Sequence, residues 1–151
     1  MRDGHLTPDL PPVWALATIA ASSLAAWLVP IARFGSAWST GIGILLAVVG
    51  VAIMGWSALW FRRKKTEIMP RQTPTALIVE GPYRINRNPI YTGMALVVLG
   101  VAFWLGTLSA VAIAMLYPFV ITSRFIRGEE AGLRRAFGPE AEAYFERTRR
   151  W

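Results

Sequence analysis

The two longest stretches of the chain without a charged side chain are Phe34 to Phe61 and Ile90 to Ser123. Each exceeds the ~20 apolar residues that take a helix across a bilayer. The first predicts one span over residues 41–61. There Gly43, Ala47, Gly50 and Met54 fall on one side and give a mostly small face for close helix packing. The second is too long for one helix. Gly106-Thr107-Leu108-Ser109 lies near its middle as a turn, which divides it into spans over 89–105 and 108–126. Pro118 is expected to bend the latter and free a backbone carbonyl. Residues 13–32 form an earlier apolar run, with Ala17, Ala21 and Ala25 every four residues and Pro30 to kink or end the helix. The pattern predicts an all-α integral membrane protein, a single domain over 1–151. It would have about four transmembrane helices and a short cytosolic helical tail over 127–151. The third span is short enough that a re-entrant path stays open.

Composition sharpens this picture. Hydrophobic residues make up 54% of the chain and charged residues 17%, too apolar for an ordinary soluble domain. A net charge of +7 would suit nucleic acid. The cations sit mainly at the ends of the apolar runs, however, as the positive-inside rule requires, so the bilayer and not nucleic acid is the expected partner. Arg62-Arg63-Lys64-Lys65, directly after the second span, is the strongest such signal. With Arg84, Arg87, Arg124 and Arg127 it places one end of the bundle and both termini in the cytosol, which fits a bacterial inner membrane. The chain has no cysteine, which excludes disulfides and thiolate chemistry. The Pro-rich segment 1–12 does not resemble a cleavable signal peptide, so the first span is expected to stay as an anchor. The lone His5 within it reads as solvated.

The connector over 66–88 is long for a link between neighbouring helices, and such loops are often functional. It holds Pro70, Pro74, a short extended piece from Thr75 to Val79 and the Gly81-Pro82 turn. Asn88-Pro89 then starts the third helix, Asn as N-cap and Pro where no N–H partner is needed. Tyr83, Arg84, Arg87 and Tyr91 thus gather at a helix N-terminus, whose free N–H groups favour anions. These residues suit a carboxylate or phosphate site; they suit equally a basic juxtamembrane loop with aromatic belt residues. Glu129 and Glu130 stand at the same edge. Adjacent carboxylates beside hydrocarbon are costly unless paired or used. They are either a solvated pair or a site, one accepting from a hydroxylated ligand such as a ribose and the other pairing with Arg124 or Arg127. The tail continues as an amphipathic helix to Phe137 and stops at Gly138-Pro139. A second short helix with Tyr144 and Phe145 precedes Arg147, Arg149, Arg150 and Trp151.

The sequence offers no nucleophile–base pair, metal-ligand cluster or phosphate-cradling glycine loop. A reaction that asks mainly for positioning fits, and methyl transfer from a sulfonium is one. The ordered set Gly81-Pro82-Tyr83-Arg84, Arg87-Asn88-Pro89-Ile90-Tyr91-Thr92-Gly93, Glu129-Glu130, Phe137-Gly138, Tyr144 and Arg147 to Trp151 resembles the integral-membrane methyltransferases. These include isoprenylcysteine carboxyl methyltransferase and the phospholipid methyltransferases. The likeness covers roughly residues 62–151. It implies S-adenosyl-L-methionine as cofactor, bound by Tyr83, Arg84, Arg87, Asn88, Pro89, Tyr91 and Gly93 from one segment and by Glu129 and Glu130 from another. It further implies a catalytic role for Arg147 and Arg150, no metal, and a lipid-like or other apolar methyl acceptor. Two positions depart from the family. Asn88 stands where many members have His, so a base that titrates near neutrality has no counterpart here. The usual Tyr near Ala141 is missing. On this reading the cofactor comes from water beneath the tail, which acts as a lid, and the acceptor comes sideways from the bilayer near Pro118.

Two other classes compete. A small four-span transporter would be expected to carry an acidic residue inside a span, and none lies between Val13 and Phe61 or between Ile90 and Ser123. A non-catalytic scaffold would use its arginines only to bind anionic lipid. The acceptor's reacting group, whether carboxylate, amine or thiol, is not written in the sequence. The charge pattern yields a topology prediction. Reporter fusions after Trp38 and Thr107 should report the far side of the membrane, and fusions after Thr66 and Trp151 the cytosol. A far-side signal at Thr66 would overturn the assignment.

Overall fold

Pro11 and Pro12 open the first helix, where the missing N–H groups cost nothing and φ is already set. The computed structural model describes residues 9–64 and 76–151. The leader through Pro8, His5 included, and the connector from Lys65 to Thr75 with Pro70 and Pro74 lie outside the described residues. The elements in order are α1 (Pro11–Leu28), α2 (Ala37–Lys64), a 3-10 turn (Gly81–Arg84), α3 (Pro89–Leu105) and α4 (Leu108–Ala114). They are followed by α5 (Tyr117–Ile121), a π-helical turn (Thr122–Ile126), α6 (Arg127–Phe137) and α7 (Pro139–Arg147). Among the described residues there is no strand, only the isolated bridges Arg33–Thr107 and Asn86–Arg149. The protein is an all-α membrane protein. Three helical stretches, Pro11–Leu28, Ala37–Lys64 and Leu108–Phe137, are long and apolar enough to cross a bilayer, and Pro89–Leu105 is a shorter apolar helix.

Local chemistry explains the boundaries that differ from expectation. α1 ends at Leu28 and not at Ala32, because Val29 precedes Pro30 and takes φ −136°, ψ 67°, outside the helical region. α2 begins at Ala37, before the expected Gly41. The Ser39 hydroxyl accepts from the Ser36 N–H and donates to the Ser36 carbonyl, both at 3.0 Å, and so fixes the first turn early. It then runs on through Arg62 to Lys64. α3 occupies Pro89–Leu105 as expected and stops where Gly106 takes φ 65°. Asn88 sits at its N-cap position but makes no capping bond. Its amide donates instead to the Arg150 carbonyl at 3.0 Å, because the tail lies against this corner. The fourth path is broken. Leu116 N–H donates to Ile113 O, a tightened turn, and α5 restarts with Pro118 in its first turn. The π turn that follows widens the helix before α6.

α3 is the central element. It packs against α2 along a glycine seam and against α1, α4 and α5 on its other side. The seam is antiparallel: Gly43 faces Gly100 and Gly50 faces Gly93, seven residues apart on each helix. A Cβ on Gly50 would lie 2.5 Å from the Gly93 carbonyl, and one on Gly100 would lie 2.6 Å from the Gly43 carbonyl. The backbones therefore touch, the approach that small residues permit in membranes. On the other side Val98, Ala102, Ala110, Ala114, Tyr117 and Ile121 form the buried core, with Trp14 and Ile19 of α1 packed on it. α3 spans ~26 Å at 1.5 Å per residue, a little under the ~30 Å hydrocarbon thickness.

The seam sets an expectation for stability. Gly50→Val and Gly93→Val should each destabilise the bundle by ~1–3 kcal/mol, because a side chain there meets backbone that cannot yield. Gly55→Ala and Gly41→Ala meet nothing within 4 Å and should be neutral or stabilising. Thermal unfolding in detergent compares the four. Equal behaviour of the two sets would show that the seam does not constrain the bundle.

Candidate functional site

The site is built at the end of the bundle where α2 finishes and α3 starts. Gly81 takes φ 58°, and a Cβ there would run into the Trp60 indole, so the 3-10 turn is pressed onto the last turns of α2. Lys64 donates to Glu80 at 2.6 Å and holds the carboxyl below its ordinary range. Tyr83 is buried edge-on against Phe61, ring centroids 5.6 Å apart. Burial keeps its phenol protonated far above its ordinary value. These contacts fix the loop that carries Asn86, Arg87 and Asn88 to the start of α3.

The chain's C-terminal segment is laid against this loop. Arg87 N–H donates to the Arg149 carbonyl at 2.8 Å, and the Asn88 amide to the Arg150 carbonyl. Tyr144 of α7 donates its hydroxyl to the Tyr83 carbonyl at 2.7 Å, and Trp151 donates its indole N–H to the Thr122 hydroxyl at 3.3 Å. Beneath the tail, Leu77 and Val79 pack on Ala141, Tyr144 and Phe145. Ala141 is fully buried, and Leu133 and Phe137 close around the same cluster.

Two carboxylates meet this frame from α6. Glu130 is 5% exposed. It accepts two bonds from Arg150, Nε to Oε1 at 2.9 Å and Nη2 to Oε2 at 2.7 Å, and Arg87 Nη2 stands 3.5 Å from Oε1. The bidentate geometry is the strong form of this pair, and it raises the Arg150 guanidinium above its ordinary value. Arg87 is further held by Nη1 donating to the Phe145 carbonyl at 2.9 Å, with its guanidinium 4.7 Å from the centre of the Phe145 ring. Its Nε is buried without an acceptor. Glu129, half-buried, accepts from the Tyr91 hydroxyl at 2.6 Å. Arg124 pairs with neither glutamate; it binds Asp9 through Nε at 3.2 Å and Nη2 at 3.1 Å and lies over Trp14.

The structure thus brings Arg87, Asn88, Tyr91, Glu129, Glu130 and Arg150 together, with Pro89 buried at the helix start between them. It places the other sequence-derived candidates elsewhere. Arg84 is exposed at the end of the 3-10 turn. Arg147 is exposed and donates to the Ala143 carbonyl of its own helix. Gly93 lies in the seam with α2, against Met54 and Gly50. Tyr83 supports the loop from below. Phe145 and Thr122 join the site unannounced by the sequence. Phe145 binds Arg87 through a carbonyl, which any residue carries, and Thr122 is placed by a π turn that no local pattern marks.

Residues 38–140 match the family model described as phospholipid methyltransferase. The chain belongs to that family. The match runs from the first turn of α2 into α7 and takes in both the Arg87–Tyr91 corner and the Glu129-Glu130 pair of this phospholipid methyltransferase family member. The chain is similar to the cobalt-zinc-cadmium resistance protein CzcN of Cupriavidus metallidurans, 29% identical over 155 residues, covering 97% of this chain and 64% of that one. It is also similar to the nickel-cobalt-cadmium resistance protein NccN of Alcaligenes xylosoxydans xylosoxydans, 31% identical over 112 residues, covering 71% of this chain and 45% of that one. It therefore spans between about half and two thirds of the length of the curated relatives it matches. No solved structure matches it.

The tail's attachment has a pH signature. Burial pushes the Tyr144 phenol from 10.0 up to about 12. In the unfolded chain the phenol loses its proton near 10, so the unfolded state binds fewer protons between 10 and about 12. The contribution of Tyr144 is therefore full below pH 10 and is lost as pH rises toward 12. Tyr83 acts in the same direction. Tyr144→Phe should make unfolding less sensitive to pH across that window, followed by circular dichroism. An undiminished slope would show that this phenol is not held neutral by the fold.

Proposed function

We propose that this protein transfers a methyl group from S-adenosyl-L-methionine to a lipid-like or other apolar acceptor at the cytosolic face of a bacterial inner membrane. The observation that carries the reading is the Arg87 corner. A half-buried guanidinium whose buried Nε has no acceptor stands 3.5 Å from the Glu130 carboxylate, with the Tyr91–Glu129 pair next in the chain's fold, within the region that matches the family. The donor set fits the cofactor. Its carboxylate needs a guanidinium, its ammonium and sulfonium need negative charge, and its ribose diol needs an acceptor. Arg87 would hold the first, and Glu129 and Glu130 would supply the rest. When bound, the cofactor supplies a methyl group already activated on a positive sulfur.

The chain's own residues then position and desolvate. Arg87 is oriented by the Phe145 carbonyl and ring and by Glu130. Tyr91 fixes Glu129 through a short hydrogen bond. The tail from Thr148 to Trp151 covers the corner, held by Arg150 on Glu130 and Trp151 on Thr122, and excludes water. A charge-rich site at one end of an apolar bundle lets a water-soluble cofactor meet an acceptor dissolved in lipid. The break at Met115 and Leu116, with Met115, Leu116 and Phe119 exposed to the bilayer side, supports a sideways approach for that acceptor. Orientation rests on Arg62, Arg63, Lys64, Arg84, Arg124 and Arg127, all at the site end.

Calorimetry with S-adenosyl-L-methionine tests the site. Arg87→Met and Glu129→Gln should each weaken binding about tenfold or more, ~1.4 kcal/mol per tenfold. Transfer of labelled methyl groups to a panel of aminophospholipid, prenyl-thiol and small thiol acceptors then tests the chemistry. Wild-type cofactor affinity in both variants would refute the assignment of the corner.

A further inference from the structure

We propose that a recess at the end of the bundle opposite the candidate site binds the phosphate of a phospholipid headgroup, held by the Arg33 guanidinium and the Thr107 hydroxyl. This goes beyond the methyl-transfer reading and does not depend on it. The recess has a volume of about 410 Å³ and is walled by Ser23, Trp27, Arg33, Gly106 and Thr107. That size is within the range of small-molecule sites.

Its floor is built by two loops stitched together. Ala32 turns the chain with φ 44° after Pro30 has ended α1. Phe34 N–H then donates to the Gly106 carbonyl, and Leu108 N–H donates to the Ile31 carbonyl, both at 2.9 Å. Gly106 is pressed so closely on Gly35 that a Cβ would collide with the Gly35 backbone. Arg33 is therefore delivered to the mouth of the recess by fixed backbone, not by a loose loop.

The charge on offer is positive. Arg33 is the sole charged residue between Asp9 and Arg62, and none of the helix ends around it brings another. Its side chain makes no ion pair with the described residues and is exposed. Thr107 is 4% exposed. Its oxygen accepts from the Ala110 N–H at 3.3 Å, and the Ser109 hydroxyl 3.2 Å away can place its single proton on Thr107 or on the Ala25 carbonyl at 3.4 Å; in either case the Thr107 O–H can turn to a ligand. A planar fork and a hydroxyl match a tetrahedral oxyanion. Trp27, 77% exposed, marks this level as the membrane–water interface, where indoles anchor. The abundant oxyanion at that depth is the lipid phosphate, in the leaflet opposite the methyl-transfer site.

Native mass spectrometry of the full chain in detergent, titrated with short-chain phosphatidylglycerol, short-chain diacylglycerol and inorganic phosphate, separates the sources. Phosphatidylglycerol should give one tightly retained adduct that diacylglycerol does not. Arg33→Gln should weaken that adduct about tenfold or more, as expected for loss of a charged hydrogen bond. Arg33→Lys should restore part of it, and the unfolding temperature without lipid should be the same in all three proteins. Equal retention of diacylglycerol would show that the recess only takes acyl chains. Arg33-dependent binding of inorganic phosphate as tight as that of the lipid would assign it to a soluble anion. An adduct unchanged in Arg33→Gln would place the lipid elsewhere. Each of these results overturns the proposal.

Discussion

The close approach of α2 and α3 at Gly43–Gly100 and Gly50–Gly93 is the constraint on which the rest of the structure depends. In lipid there is no hydrophobic force to press helices together, so association rests on contact and on backbone groups brought near one another. Four glycines let two backbones touch where any side chain would hold them apart. With α3 fixed against α2, both of its ends are fixed. Its N-terminal end presents Arg87, Asn88 and Tyr91 beside the last turns of α2. Its C-terminal end presents Gly106 and Thr107 beside the loop after α1. The two functional regions proposed for this protein are the two ends of one short, pinned helix.

At the charged end the ruling interaction is the burial of Glu130. A carboxylate 5% exposed at a membrane edge is tolerable only when its oxygens are satisfied. Arg150 and Arg87 do so; the Arg87 guanidinium is in turn held by the Phe145 carbonyl, and the Arg150 backbone by the Asn88 amide. Such a pair adds little net stability compared with an apolar pair, because desolvation offsets the attraction. What it contributes is definition. Arg150 can reach Glu130 only if the last residues lie along Asn86 to Asn88, and Tyr144 and Trp151 lock that path from either side. The tail is thereby part of the site's wall.

The family match covers the seam, the loop and the glutamates, whereas the pairing of Glu130 with Arg150 lies partly beyond it. The heavy-metal resistance named for the two relatives belongs to proteins that are longer than this chain.

The sequence by itself determined the bundle. Runs without charge had to be membrane helices, because a charged side chain in hydrocarbon is costly wherever it stands, and that rule needs no knowledge of neighbours. Pro89 and Gly106 set both ends of α3 for reasons confined to their own backbones, and Gly138-Pro139 divided the tail in the same way. The small face of α2 was legible as a surface for close packing, though not which helix would meet it. Tertiary structure alone decided partnership. Glu130 took Arg150 and Arg87, while the nearer Arg124 went to Asp9 at the other end of the chain. Asn88 gave up its cap to bind the tail, and Gly93 served the seam. These outcomes depend on which segments are brought within hydrogen-bond reach after the helices pack, and an ionic or amide group carries no local mark of the partner it will find.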